Sequence, residues 1–179
     1  MAATLRPWGR ARTSTPPRPP ADPWLDALTG LANRRAWFEA IVRASIELDT
    51  DPRHVGAIVL IADLDGLTTV NDHLGRDAGD DLLRAAAGVL RRVAPAEAVV
   101  ARIGGDEFGI VLLGSPATAE ELVVAVRHGA LASPGVGGRP LSLAVGIASC
   151  PPLGTIDDAL LAAHHGVLVD KAERRAGRR

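Results

Sequence analysis

The chain has 179 residues, of which 47% are hydrophobic and 23% charged, and its formal net charge is −1. This composition suits one globular domain with an aliphatic core, and the near-neutral charge provides no bulk attraction to nucleic acid. The single cysteine, Cys150, excludes an internal disulfide framework. We therefore expect a cytoplasmic protein.

The ends of the chain are rich in arginine. Residues 1–21 combine arginines with a cluster of prolines, which predicts a disordered arm, or alternatively a weak contact with a partner or an acidic surface. No apolar signal region follows, and no run is apolar and long enough to span a bilayer. We expect one domain over 22–175, a basic tail over 176–179 and no membrane span.

The first half of the domain alternates between helical and extended patterns. Apolar residues spaced by three and four predict a helix over 33–49. A continuous apolar run over 55–62, rich in β-branched residues, predicts a buried strand. A polar segment over 68–80 precedes a helix over 78–93, which Pro95 ends.

The second half begins with a predicted hairpin, whose strands over 98–103 and 108–113 flank an acidic tip. A helix, a glycine-rich loop, a strand and a final helix follow at 118–131, 134–138, 141–148 and 155–174. These mixed connections predict an α+β fold, with an antiparallel-rich central sheet covered by helices on one side.

Acidic residues stand at two strand ends. Asp63 and Asp65 follow the buried strand, and Asp106 and Glu107 lie at the hairpin tip. Carboxylates on neighbouring strand ends can hold hard cations, which bridge phosphate oxygens during phosphoryl transfer.

Gly104 and Gly105 remove side chains beside the tip acids, so that a phosphate can approach the backbone. The residues alone also permit a simpler interpretation. Asp63 and Asp65 could belong to a solvated turn, and glycine and aspartate are common in ordinary hairpins.

Several spaced motifs resemble the diguanylate cyclase family. Residues 104–108 reproduce its GGDEF signature, residues 26–35 match its D-x-L-T-G-L-x-N-R-R opening, and residues 63–65 and 71–80 match its D-x-D and N-D-x-x-G-x-x-x-G-D segments. The resemblance covers 22–175. It implies a ferredoxin-like palm of the nucleotidyl cyclase type.

The resemblance implies a metal site for Mg²⁺, with Mn²⁺ as an alternative. Asp63 and Asp106 would bind the metal with their carboxylates, and Leu64 with its backbone carbonyl. Glu107 would either assist the metal or act as the general base for a 3′-hydroxyl.

The resemblance also implies a GTP site, with Gly104 and Gly105 against the substrate. Asn71 and Asp80 would read guanine, since a carboxylate can accept hydrogen bonds from its N1–H and 2-amino edge. The resemblance implies that an arginine and two basic residues of the last helix contact the phosphates, and these would be Arg102, Lys171 and Arg175. The plainer alternatives are a cap role for Asn71 and a solvated basic helix face for Lys171 and Arg175.

The implied reaction joins two GTP molecules into cyclic di-GMP and releases pyrophosphate. One domain holds one GTP, so the resemblance implies a homodimer, at least transiently. Sensory domains usually control dimerisation in the family, and we expect control here by a separate regulatory protein or by further parts of a longer parent chain.

The chain departs from the family pattern at several positions. Thr68 replaces a lysine that assists the triphosphate, and Pro95 and Ala98 replace the arginine and aspartate of the R-x-x-D product-inhibition site. In the last helix His164 and Asp170 replace an aspartate and an alanine. We expect His164 and its neighbour His165 to form an exposed helix surface.

Three functions are consistent with these features. The first is an active diguanylate cyclase without an R-x-x-D site. The second is a catalytically weak or inactive GTP-binding or protein-interaction module, which Thr68 and the altered last helix favour. The third is another nucleotidyl cyclase or a mixed dinucleotide synthase, against which Asp80 argues.

Overall fold

The computed structural model describes residues 22–51, 53, 55–136, 140–152 and 154–177. The predicted arm over 1–21 and parts of the glycine-rich loop and basic tail lie outside the described residues. The helices are α1 (Arg34–Thr50), α2 (Leu67–Leu74), α3 (Arg76–Val93), α4 (Pro116–Ala132) and α5 (Ile156–Ala176), and the strands are β1 (Ala57–Leu64), β2 (Val99–Arg102), β3 (Glu107–Leu113) and β4 (Leu143–Cys150).

The four strands form one sheet in the order β2-β3-β1-β4, and every neighbouring pair is antiparallel. β1 therefore lies inside the sheet, between β3 and β4, and the edge strands are β2 and β4. Helices connect β1 to β2 and β3 to β4. This arrangement confirms the predicted α+β, ferredoxin-like palm.

Helices cover both faces of the sheet, so the prediction of one covered face is wrong. Side chains of β1 alternate between two cores: Ile58 and Leu60 pack with α3 and α4, whereas Val59 and Ile61 pack with α1 and α5. Successive residues of a strand point to opposite faces. The uninterrupted apolar run in β1 reflects burial on both sides.

The polar segment over 68–80 contains a helix that the sequence pattern does not predict. α2 spans Leu67–Leu74 and buries none of its residues, so it lacks the apolar periodicity that marks a core helix. Gly75 separates α2 from α3 with a φ of 87°, a left-handed conformation that favours glycine. The two helices form a hairpin after β1.

Three of the described helices, α1, α4 and α5, begin at side-chain caps. Asn33 Oδ1 accepts from the Ala36 amide at the start of α1, and Thr155 Oγ1 accepts from the Asp158 amide at the start of α5. In the part of the chain that the structure describes, no helix is long and apolar enough to cross a membrane.

α5 approaches β4 closely enough for their backbones to touch. A Cβ atom on Gly146 would collide with the Ala163 carbonyl oxygen, and one on Gly166 would lie 2.9 Å from the Gly146 Cα. Side chains at either position would push the helix away from the sheet. The glycine pair therefore sets the height at which α5 crosses the end of β1.

We expect Gly146→Ala to destabilise the protein by about 1–3 kcal/mol or more, because the obstructing atoms belong to the backbone and cannot rotate away. Thermal and urea unfolding measure this change. Gly105→Ala is the control, since a Cβ there would meet no atom within 4 Å. Equal stability of the two variants would contradict the close-packing argument.

Candidate functional site

The strand-end acids and the hairpin tip meet at one end of the sheet. Asp63 stands opposite Glu107 in the β1–β3 ladder, and the Leu64 amide donates to the Asp106 carbonyl oxygen at 2.9 Å. The structure thus brings together the four residues that the sequence predicts as metal ligands. Backbone pairing, rather than side-chain contact, holds the two segments in register.

The pKa of Asp63 is shifted by its burial and by the charged groups around it. Burial raises the pKa of its carboxyl group, the ammonium of Lys171 lowers it, and the neighbouring Asp106 and Asp65 raise it again, with a net upward shift. Lys171 Nζ lies 2.7 Å from Asp63 Oδ1. The site therefore concentrates negative charge and is balanced by a cation from α5.

The donor chemistry fits a hard divalent cation. Carboxylate and carbonyl oxygens are the ligands that such ions prefer, and the pKa of Asp63 is raised chiefly by burial, with the neighbouring Asp106 and Asp65 as smaller causes. Within the described ranges, no three or more acidic, histidine or cysteine side chains already surround one point. Instead, the ammonium group of Lys171 forms an ion pair with the Asp63 carboxylate.

Arg102 connects the hairpin tip to the opening motif of the domain. Its guanidinium donates to the Gly105 carbonyl oxygen, at 2.6 Å from Nη2 and 3.2 Å from Nε, and pairs with Asp26 at 3.4 Å. These contacts fix the backbone beside Asp106. The predicted role of Arg102 at the phosphates stays a prediction.

Asp26 is the centre of the opening turn. Its Oδ1 atom accepts from the Thr29 amide at 2.8 Å and from the Thr29 hydroxyl at 2.7 Å. Burial raises the pKa of Asp26, but these hydrogen bonds and the charge of Arg102 outweigh it, so the pKa lies below its ordinary value. The opening turn thus helps to hold the hairpin tip in place, because Asp26 pairs with Arg102.

The predicted guanine pair lies on the α2–α3 hairpin. Asn71 belongs to α2 and Asp80 to α3. A Cβ atom on Gly79 would collide with Asn71 Oδ1, so the Asn71 side chain lies directly over the residue that precedes Asp80. The helix hairpin therefore brings the Asn71 side chain against the residue that is adjacent to Asp80 in the chain.

The predicted phosphate contacts of α5 lie beside the acids. Lys171 and Arg175 line a small cavity of about 190 Å³ together with Arg174, Asp65 and Gly66. Lys171 is partly buried, whereas Arg175 is exposed. A cavity with three basic side chains suits a polyphosphate.

Arg174 is a site residue that the sequence analysis did not identify. It pairs with Asp65 at 3.4 Å and with Asp170 at 2.9 Å, and it donates to Ser142 Oγ and to the Leu143 carbonyl oxygen. Asp170 is the only charged residue that is buried in the described part of the chain. The four-residue spacing of Asp170 and Arg174 was the available signal.

His164 also contacts the site, although its side chain remains 43% exposed on the helix surface. Its Nδ1 atom lies 3.2 Å from Glu107 Oε1. His165, the next residue, is exposed as predicted. The sequence could not distinguish the two histidines, because only the crossing of α5 over the hairpin tip decides which of them faces Glu107.

This fold and this site define a nucleotidyl cyclase-like palm domain, in which paired strand ends present carboxylates beneath a basic helix. The family described as "Diguanylate cyclase, GGDEF domain" matches residues 24–176. The chain therefore belongs to the GGDEF domain family, as its motifs predict.

Individual relatives agree with this assignment. The chain is 35% identical over 131 residues to "Probable diguanylate cyclase DgcC" of Escherichia coli K12, a match that covers 71% of this chain and 34% of the relative. The chain thus spans about a third of that protein's length.

Two solved structures share the fold. One is the GGDEF domain of PA1120 (TpbB or YfiN) from Pseudomonas aeruginosa, at 33% identity and a TM-score of 0.71, covering 83% of this chain and 89% of that one. The other is the GGDEF domain of DgcB from Caulobacter crescentus in complex with c-di-GMP, at 23% identity and a TM-score of 0.77, covering 85% and 92%.

We expect Asp26→Ala to lower the free energy of unfolding by about 1–2 kcal/mol at pH 7, because the turn loses its capping acceptor and Arg102 loses its partner. The charge-dependent part of this stability is present above the unfolded pKa of about 3.9 and is lost as the pH falls through the lower folded pKa.

Urea unfolding at pH 7 and pH 3 measures this effect, with Glu120→Ala on the exposed surface of α4 as the control. The difference between wild type and Asp26→Ala should shrink at pH 3. A difference that is independent of pH would contradict a role for the Asp26 charge.

We expect Gly79→Ala to weaken GTP binding by about tenfold, which corresponds to the loss of roughly one hydrogen bond to a buried group. The added methyl group displaces the Asn71 side chain from its place over Gly79. Calorimetric titration of GTP with Ca²⁺ measures the affinity.

Gly88→Ala is the matched control for this variant. It makes the same substitution in α3, but its Cβ would meet only the flexible end of Arg92. Equal GTP affinity of the two variants would contradict the prediction that Asn71 contacts guanine.

Proposed function

We propose that the chain is a diguanylate cyclase that condenses two GTP molecules into cyclic di-GMP and releases pyrophosphate. The observation that carries this proposal is the juxtaposition of Asp63 with Glu107, beside Asp106, at the end of the two central strands. Family membership supports the substrate and the reaction.

In this proposal the acids hold Mg²⁺, or Mn²⁺ in its place. Asp63, Asp106, Glu107 and the Leu64 carbonyl would be its ligands. The bound metal supplies positive charge that neutralises phosphate oxygens during displacement at the α-phosphorus. The backbone geometry supports this assignment, because Asp63 stands opposite Glu107 and the Leu64 amide donates to the Asp106 carbonyl oxygen.

The basic side chains of α5 bind the triphosphate. Lys171 and Arg175 line the cavity next to Gly66, from which α2 begins. Gly66 offers no side-chain cap, so the amides of the first turn of α2 are available to an anion. Gly104 and Gly105 leave the hairpin tip open to the substrate, and nothing lies within 4 Å of a Cβ placed on Gly105.

Glu107 is the group that can remove the proton from the attacking 3′-hydroxyl, unless it serves the metal alone. His164 lies 3.2 Å from its carboxylate and restricts its orientation. Arg102 acts indirectly in this arrangement, through the Gly105 carbonyl and Asp26. Asn71 and Asp80 select guanine, because adenine lacks the N1–H and 2-amino donors.

Catalysis of this kind needs two copies of the domain. Each chain offers one set of guanine and phosphate contacts, and the reaction joins two nucleotides. We therefore propose a homodimer in which two sites face each other, at least transiently. Pro95 and Ala98 leave the dimer without an R-x-x-D product-inhibition site, and Thr68 removes one phosphate-binding charge.

A GTP-binding module without catalysis is the second candidate. The contact of Lys171 with Asp63, at 2.7 Å, favours it, because the lysine already neutralises a metal-binding carboxylate. In that case the domain would bind the nucleotide through α2, α3 and α5. It would signal through the difference between its GTP-bound and GTP-free forms.

The deciding experiment incubates the purified chain with Mg²⁺ and GTP and detects products by mass spectrometry. We expect cyclic di-GMP and pyrophosphate, and a loss of about 100-fold or more for Asp106→Ala and Glu107→Ala, as is typical when a charge-stabilising group is removed. Both variants should fold normally, which circular dichroism checks.

The outcome separates the two candidates. GTP that binds with Ca²⁺ but yields no product with Mg²⁺ over hours at high protein concentration would refute the cyclase and support the binding module. Product formed equally by wild type, Asp106→Ala and Glu107→Ala would show that the acids at the hairpin tip are not the catalytic group. Equal mixtures of ATP and GTP test nucleotide choice.

A further inference from the structure

The outer face of α1 carries a row of exposed apolar side chains. Phe38, Val42 and Ile46 are 50%, 58% and 57% exposed, although large apolar residues of an amphipathic helix normally face the core. The buried face of α1 is formed by other residues, among them Trp37 and Ile41. The row therefore lies outside the fold's own packing.

A row of alternating charges runs beside the apolar row. Its members are spaced by four residues, and a groove of about 530 Å³ separates the two rows. In chain order the charged row reads Arg35, Glu39, Arg43 and Glu47. Residues four apart lie on the same helix face, so each row is continuous along α1.

This pattern is complementary to itself when the helix direction is reversed. If a second α1 lies antiparallel across the first, Arg43 meets the partner's Glu39, and Arg35 meets the partner's Glu47. The apolar rows also match closely, since Phe38 then lies near the partner's Ile46; the charged pairs centre on residue 41 and the apolar pairs on residue 42, about 1.5 Å apart along the helix. A two-fold interface requires this kind of self-complementary patch.

We propose that α1 is a self-association surface on which a second copy of this chain docks in the antiparallel direction. Helices that pack through rows of spacing four cross at about 50°. The central pair, Arg43 with the partner's Glu39, is therefore the closest ionic contact. The outer pair, Arg35 with the partner's Glu47, lies at the rim of the interface. Within its own chain, the Arg35 guanidinium group also stacks over the Trp24 ring.

This contact differs from the site-to-site pairing of the proposed function. Phe38 lines a cavity with Gly104 and Glu107 at the hairpin tip, whereas Glu47 lies beside Leu113 at the far end of β3. An antiparallel α1 pair places the two hairpin tips at opposite ends. It therefore holds two chains together without opposing their nucleotide sites.

The interface is small, and its strength follows from its size. One helix face buries less than about 1,200 Å² in total, which is the range of weak and transient complexes. We expect dissociation constants in the micromolar range or above. The apolar row provides most of the attraction, and the charged row selects the direction and weakens with added salt.

Analytical ultracentrifugation of the full chain without nucleotide tests the proposal. We expect the weight-average mass to rise from monomer toward dimer between about 10 and 500 µM, the range in which such small interfaces form. Val42→Arg should remain monomeric. Val124→Arg is the matched control, because Val124 is 52% exposed on α4, on the opposite face of the sheet, and that variant should associate like wild type.

A charge exchange tests the antiparallel direction. Arg43→Glu places two acids opposite each other and should weaken association by about tenfold, whereas Glu39→Arg combined with Arg43→Glu restores the central pair and should recover it. Circular dichroism verifies that each variant is folded.

Two results would overturn the proposal. Wild-type chain that stays monomeric at 500 µM, or Val42→Arg that associates like wild type, would exclude α1 as the surface. Failure of the double exchange to recover association would exclude the antiparallel arrangement. Because the measurement uses no GTP, it stands or falls separately from the cyclase assay.

Discussion

Burial of β1 on both faces and pairing on both edges is the constraint on which the site depends. Its apolar side chains alternate between two helix layers, so a shift of one residue would exchange the two cores and is strongly disfavoured. The same register sets Asp63 opposite Glu107 and lets the Asp65 amide reach the Ser142 carbonyl oxygen. Packing of the core thereby determines where the acids stand.

The acids at the end of β1 repel one another, and α5 supplies most of the compensation. Lys171 pairs with Asp63, Arg174 with Asp65, and His164 approaches Glu107. These three side chains reach the acids because Gly146 and Gly166 allow the helix to touch the sheet. The close packing of α5 on β4 is therefore a condition for the electrostatic balance of the site. If the helix lay further from the sheet, its side chains could not reach the acids.

Asp170 attaches the last helix to the sheet. It is buried and accepts a hydrogen bond from the Val145 amide at 2.8 Å. Arg174 and Arg127 balance its charge. A buried carboxylate is tolerated only when it is paired and hydrogen-bonded. The pair binds the C-terminal part of α5 to β4, next to the residues that meet the strand-end acids.

The sequence by itself determined the class of fold, most element positions and the residues of the nucleotide and metal hypotheses, because apolar periodicity and spaced motifs are local properties. It did not reveal α2, which buries nothing, or the second covered face of the sheet. Only the tertiary structure decided that Arg174 and His164 reach the acids and that Arg102 braces the hairpin tip through Asp26. Those contacts join residues far apart in the chain, and the height of α5 over β4 decides which side of a helix meets a strand end.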